Sequence, residues 1–330
     1  ELNILDLNVM PSMRAMMTAG PALNRDHTAG YNCSYLPVDD PKAFDEAMYI
    51  LLCGTGVGFS VERQYIQNLP EVPELSDSET TVVVKDSKEG WAKGLRQVLA
   101  LLWAGEIPKW DVSQIRPSGA RLKTFGGRAS GPAPLIDLFN FAVNTFKTAA
   151  GRRLSSLECH DLMCYIGQIV VVGGVRRSAM ISLSNLSDGR MRHAKSGNWW
   201  ETAGHRALAN NSVCYTEKPD SETFMREWLS LVESKSGERG VFNRQACKAL
   251  AVRSGRRDPN HEFGTNPCSE ISLRPYQFCN LTEVVVRATD TLKDIKDKVE
   301  IATILGTIQS TYTKFPYLRK IWQRNTEEER

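Results

Sequence analysis

None of the eight cysteines forms a Cys-x-x-Cys pair, so a zinc ribbon is not expected. No apolar run approaches the length of a membrane-spanning helix. Net charge is scarce: 41 Lys and Arg against 38 Asp and Glu leave +3. That is too little to argue for a nucleic-acid or membrane partner. There is no internal repeat and no low-complexity linker. Nothing at the start reads as a signal peptide, and Glu1 is not an initiator methionine. The expectation is a cytoplasmic chain that is a segment of something longer. An even cysteine count does not imply a disulfide framework here, because the chain is neither small nor marked for secretion.

What is present is ordinary in bulk. At 330 residues, 42% hydrophobic and 24% charged, the chain can bury a substantial core and is long enough for two domains. Short β-rich runs alternate with amphipathic helical patterns, which predicts an α/β fold with a mostly parallel sheet. Strands are expected at 35–38, 59–61, 81–84, 180–183 and 207–215. Helices are expected at 41–52 with Asp40 as N-cap, and at 90–103, 135–150, 158–172, 221–234 and 292–312. The acidic, proline-containing stretch 70–78 reads as a loop, and the charged run 324–330 as a solvated helix end. Cys159-His160 with Cys164 is the best metal candidate, but Leu162, Ile166 and Ile169 recur at helical spacing and favour a packed helix. No metal site is assigned.

The chemistry concentrates at Asn266-Pro267-Cys268-Ser269-Glu270, followed eleven residues after Cys268 by Cys279. Thiols supply both single hydrogen atoms and an electron pair that ends in a disulfide. Glu270 is a candidate general base, and Asn266 a group that orients an oxygen. Together they suggest redox chemistry on an oxygenated substrate rather than hydrolysis. The bland reading is a turn, since Asn-Pro initiates turns and a cysteine usually just packs. Gly54, Gly56 and Gly58 allow close backbone approach. They follow a helical pattern rather than opening one, so they do not form a Rossmann fingerprint.

Several blocks, in order, carry a resemblance. Gly264 to Leu281, with its two cysteines, resembles the finger-loop region of ribonucleotide reductases. Tyr31-Asn-Cys33-Ser-Tyr-Leu-Pro-Val38 is similar to that family's first barrel strand with its redox cysteine. Leu52-Cys-Gly-Thr-Gly-Val-Gly58-Phe resembles the glycine turn after it. Arg121 to Pro132 and Gly173-Gly-Val-Arg-Arg-Ser178 resemble further family blocks. The eleven-residue cysteine gap resembles the adenosylcobalamin-dependent (class II) enzymes, and the resemblance as a whole, from about Met10 to the end, is closest to their monomeric, triphosphate-reducing branch.

The resemblance implies a ten-stranded α/β barrel built from two five-stranded halves around a central loop. Residues 1–330 would be one partial barrel domain: the first half, the finger loop at about 262–276 and the start of the second half. Cys268 would carry a thiyl radical that takes and returns the 3′ hydrogen of a ribonucleotide. Glu270 would accept the 3′-hydroxyl proton, and Asn266 would hold a substrate hydroxyl. Cys33 would protonate the departing water, and Cys33 with Cys279 would end as a disulfide. Asn32, Ser34, Gly56 and Gly58 are expected to line the substrate. Regulatory elements are expected at about 116–132 and 195–211, the latter a specificity loop for a deoxynucleotide effector with Trp199, Trp200, Glu201, His205 and Arg206. Adenosylcobalamin is implied as radical source, and a thioredoxin-like or dithiol reductant and a C-terminal half of the enzyme as partners. Asp26-His27-Thr28-Ala29-Gly30 has the wrong spacing for the cobalamin motif of other proteins, and His27 reads as a loop residue. The other five cysteines, Cys53, Cys159, Cys164, Cys214 and Cys247, read as packing residues. Two other readings stay open: a class I catalytic-subunit fragment, and a non-catalytic nucleotide-binding or assembly fragment.

Overall fold

A computed structural model describes residues 2–122, 128–172 and 179–329. Five runs form parallel strands side by side in chain order: Cys33–Pro37, Gly56–Ser60, Met180–Asn185, Ala209–Tyr215 and Gly240–Asn243. A sixth strand, Gln277–Cys279, runs antiparallel along the outer edge of Cys33–Pro37. Parallel neighbours need long crossovers, usually helical. Lys42–Leu52 makes the first crossover and Ser221–Ser234 the last. Five parallel strands and one reversed strand are what a half-barrel with the first strand of a second half requires.

The two faces of this sheet differ. Helices Lys42–Leu52, Lys88–Trp103, Ala133–Ala149 and Ser156–Val172 bury the outer face in the main core. Lys42–Leu52 is buried along its length, so even Asp45 and Glu46 are fully covered. Both have partners: Arg96 Nη2 lies 2.6 Å from Asp45, and Arg319 Nη2 lies 2.8 Å from Glu46. The inner face carries a smaller cluster that includes Tyr35, Leu183, Cys214, Phe242 and Cys279.

Three expectations are corrected. Residues 70–78 are not all loop. Ser76–Val83 is a strand, paired in parallel with Glu106–Asp111 across the helix Lys88–Trp103. Most of its residues are exposed, so it lacks the apolar alternation that marks a half-buried strand. The charged tail is not a free helix end. Lys320–Glu328 buries Trp322 fully, and Glu329 Oε2 lies 2.5 Å from Arg257 Nε. Asp40 is not the N-cap. Pro41 occupies that position, and Asp40 accepts a hydrogen bond from the Lys42 amide at 2.8 Å. The blocks expected at Gly173–Ser178 and, in part, Arg121–Pro132 (residues 123–127) lie outside the described residues.

Candidate active site

The strand register fixes the first part of the site. In the antiparallel pairing Cys279 lies directly opposite Cys33, with Phe278 opposite Ser34 and Gln277 opposite Tyr35. Directly opposed residues have Cα atoms about 4.5–5.5 Å apart, inside the range that a disulfide spans. The two thiols are hydrogen-bonded to each other, and both are free cysteines.

The third thiol reaches the same face on a tight loop. Asn266, Pro267, Cys268 and Ser269 form a β-turn, closed by the Ser269 amide donating to the Asn266 carbonyl at 3.0 Å. Proline at the second turn position has its φ already set. Ser269 then takes a left-handed φ of 68°, which costs a non-glycine residue about 1–2 kcal/mol. The Asn266 side chain offsets part of this. Its Oδ1 accepts from the Ile271 amide at 3.0 Å and closes the loop from inside. Its Nδ2 reaches the Cys33 sulfur at 3.8 Å. Cys268, Ser269 and Glu270 stand exposed at the tip, whereas Asn266 is fully buried.

Glycines let this loop lie on the sheet. Gly56 and Gly58 stand in register with Cys33 and Tyr35, so all four face the loop. A Cβ on Gly58 would sit 1.8 Å from the Thr265 carbonyl oxygen, and one on Gly56 would sit 2.8 Å from the Pro267 ring. A Cβ on Gly264 would enter the Tyr35 ring at 2.0 Å. The loop therefore presses onto the strand without side chains between them.

The thiols are electrostatically unequal. The hydrogen bond from Cys279 lowers the Cys33 pKa most; burial opposes it, and Asn266 and the Arg14 guanidinium add to the lowering. Cys279 is pushed well up, first by its hydrogen bond to Cys33 and then by burial. Cys268 is also raised, by partial burial and by the neighbouring Glu270 and Cys33. Cys33 is thus the member of the pair that ionises first, and Cys268 stays a protonated thiol at neutral pH.

The other expected residues divide. Asn32 adjoins the pair: its amide donates to the Cys279 carbonyl at 3.1 Å, and its Oδ1 accepts from Ser12 Oγ at 2.7 Å. Ser34 does not join the site. It is fully buried on the opposite face, where its hydroxyl donates to the Gly56 carbonyl at 3.0 Å, because alternate strand residues face opposite ways. Gly56 and Gly58 lie beneath the loop. In the 195–211 segment, Trp200 is 58% exposed on the short helix Trp199–Thr202, which also holds Glu201. Arg206 is anchored instead: Nε and Nη2 each lie 2.7 Å from Asp161, and His205 Nε2 lies 3.2 Å from the same carboxylate. Asn210 Nδ2 comes within 3.5 Å of the Pro267 carbonyl.

Arg14 was not singled out from sequence. Its guanidinium is buried, and Gly54 makes room for it, since a Cβ there would lie 2.0 Å from Nη2. The ion pair of Glu62 with Arg244 was also missed. Neither residue sits in a motif, and only the folded chain brings them beside the loop.

Comparisons with known proteins bear on the fold that carries this site. Residues 60–146 match the family described as "B12-dependent ribonucleotide reductase, insertion domain". The adenosylcobalamin-dependent ribonucleoside-triphosphate reductase of Lacticaseibacillus paracasei is 32% identical over 286 residues, covering 73% of this chain and 37% of that protein. The protein of the same name from Euglena gracilis is 28% identical over 306 residues, covering 89% and 41%. The crystal structure of a B12-dependent (class II) ribonucleotide reductase matches with a TM-score of 0.79 at 24% identity, over 98% of this chain and 53% of that one. The fold is therefore that of a ribonucleotide reductase half-barrel. The chain is similar to the adenosylcobalamin-dependent, class II ribonucleotide reductases and matches their N-terminal part. It spans about two fifths of the length of the curated relatives it matches.

Proposed function

We propose that this chain is the thiol-bearing portion of an adenosylcobalamin-dependent ribonucleoside-triphosphate reductase, and that residues 1–330 are one partial barrel domain. The observation that carries the reading is the strand register that sets Cys33 against Cys279 beneath the loop of Cys268. Cys268 acts as hydrogen-atom donor and acceptor at C3′ of the ribose. Its raised pKa suits this role, because a hydrogen-atom donor must be a thiol and not a thiolate. Glu270, exposed two residues on, takes the 3′-hydroxyl proton. Cys33, the more acidic of the pair, gives a proton to the 2′-hydroxyl as it leaves as water. Cys33 and Cys279 then supply two electrons to the ribose and join as a disulfide, which an external dithiol such as a thioredoxin-like protein reduces. Asn266 orients Cys33 and keeps one amide hydrogen for the substrate.

The residues present fit the cofactor: Cys268 offers a protonated and exposed sulfur to a bulky partner. When bound, adenosylcobalamin supplies an organic radical from its cobalt–carbon bond. The segments at 116–132 and 195–211 are read as the effector-responsive elements, with a deoxynucleotide as ligand. Among the described residues no helix is long and apolar enough to cross a membrane. The test is turnover. The chain joined after Arg330 to a C-terminal half, or mixed with it, is expected to reduce a ribonucleoside triphosphate with adenosylcobalamin and a dithiol alone. A requirement for a separate radical-generating protein would overturn the cofactor reading. Robust turnover by residues 1–330 without the second half would overturn the partial-barrel reading.

A further inference from the structure

A buried ion pair lies where the loop of Cys268 meets the sheet. Glu62 follows the glycine-bearing strand Gly56–Ser60 by two residues and is fully buried. Arg244 opens the helix Arg244–Ser254, whose N-cap is Asn243, and is 1% exposed. Arg244 Nη2 lies 2.6 Å from Glu62 Oε2, and Nη1 lies 3.0 Å from Oε1. Ser60 Oγ donates to the same carboxylate at 2.7 Å and fixes its rotamer. A further donor of the fork, Nε, lies 2.6 Å from the carbonyl oxygen of Phe263, and Nη1 also lies 3.2 Å from the half-exposed Glu262 carboxylate. Phe263 is the last residue before Gly264–Thr265, the strand on which the Cys268 loop stands.

We propose that Arg244 is a positioning residue for Cys268. Two attachments then set where the loop rests. The Thr265 carbonyl lies against Gly58, which sets its depth. The Phe263 carbonyl is held by Arg244, and Arg244 is held by the end of the strand that contains Gly58. Loop base and glycine cradle therefore share one rigid planar fork, which lysine cannot reproduce because it lacks the fixed donor geometry. With both attachments made, Cys268 stands above the Cys33–Cys279 pair without replacing either partner. With the fork removed, the loop keeps its turn and its Gly58 contact but loses its anchor at Phe263. Cys268 then competes for Cys33, the neighbour that ionises first.

The assignment rests on reading Cys268 as the thiol that acts on the substrate, but its test needs no nucleotide or cofactor. The 330-residue chain is oxidised with diamide, its disulfides are mapped by peptide mass spectrometry, and amide exchange is followed across residues 264–271. The wild-type chain is expected to join Cys33 to Cys279. Arg244→Met is expected to divert a large share of Cys33 to Cys268 and to speed exchange in the loop by roughly tenfold or more. Arg244→Lys should restore part of the native pairing. Glu62→Gln combined with Arg244→Met guards against simple unfolding, because it leaves no unpaired buried carboxylate. It should recover thermal stability but not the native pairing. Native pairing and wild-type loop exchange in a folded Arg244→Met chain would overturn the proposal. So would a double variant that recovers pairing together with stability. Failure of nucleotide reduction in the assembled enzyme, with these results intact, would count only against the reductase reading.

Discussion

The two faces of the six-stranded sheet use the same side chain in opposite ways. On the helix-packed face Cys53, Cys159 and Cys164 are fully buried, and burial pushes each thiol up, Cys53 to about 11. On the face beneath the loop Cys33 is only half-buried, is hydrogen-bonded to Cys279 and Asn266, and is pushed down. Cys214 sharpens the contrast. It shares the inner face with Cys33 and Cys279, yet burial raises it like the helix-face thiols. Face alone does not make a cysteine reactive. For Cys33 a donating thiol in register and the Asn266 amide do, because the thiolate needs donors that a packed core does not offer. Cys247, half-buried on the helix Arg244–Ser254, accepts from Ser272 Oγ at 2.9 Å and packs against the inner-face cluster.

The largest effect that tests this contrast is on turnover. In the assembled enzyme Cys268→Ser is expected to lower the rate by at least roughly a thousandfold, since no other group replaces the hydrogen-atom donor. Cys53→Ser in a folded enzyme should leave the chemistry intact. Comparable losses in both, at equal folded fraction, would erase the distinction between the faces.

Next in size is the glycine cradle. Gly58→Ala places a methyl group against the Thr265 carbonyl and should cost about 3 kcal/mol, as overpacking does at its upper range. Gly189→Ala meets nothing within 4 Å and should stay within about 0.5 kcal/mol of wild type. Denaturant midpoints measure both. Equal stability of the two variants would mean that the loop does not rest on Gly58.

A smaller effect separates the thiols by pH. As pH rises, iodoacetamide should label Cys33 before Cys268, although Cys268 is the more exposed, because the Cys33 thiolate forms at lower pH. Cys279 should lag both. Site-resolved mass spectrometry reads the order, and labelling that simply follows exposure would refute the polarised pair.

The finest test divides the 195–211 segment. Burial pushes Asp161 up, but the hydrogen bonds from Arg206 and His205 prevail and bring it from the usual 3.8 to about 2. The depressed carboxylate contributes on the order of 2 kcal/mol, fully present above the unfolded pKa and lost as pH falls towards 2. Arg206→Leu should abolish that acid dependence and destabilise the fold. Trp200→Ala should change stability by less than about 0.5 kcal/mol, yet shift which base is reduced under a given effector. Unchanged base preference in Trp200→Ala would remove the regulatory reading from the exposed tryptophan.

Much of this was legible in the residues. Periodicity located the helices near 42–52, 88–103 and 221–234, because their apolar residues recur at helical spacing over several turns. The motif around Cys268 pointed to a turn, and the structure makes Pro267 the second residue of that turn. The first part of the strand Ser76–Val83, ahead of the run expected at 81–84, and the docked tail were not legible. The first buries almost nothing of its own, and the second is held by Glu46, Arg257 and Pro275, all distant in sequence. Ser34 sits in the same block as Cys33, and only the pleat sends it to the other face.

By itself the sequence determined the candidate groups for the proposed chemistry: three thiols, a carboxylate and a carboxamide, with glycines spaced two apart along a strand. Those are properties of residue type and local spacing. Tertiary structure decided that Cys33 meets Cys279 in register, that Cys33 rather than its partner ionises first, and that Arg206 serves an ion pair while Trp200 faces outward. It also decided that the fork of Arg244 reaches the base of the Cys268 loop from a helix outside it. Each depends on distance and burial, which decay over a few ångströms in space and have no fixed relation to separation along the chain.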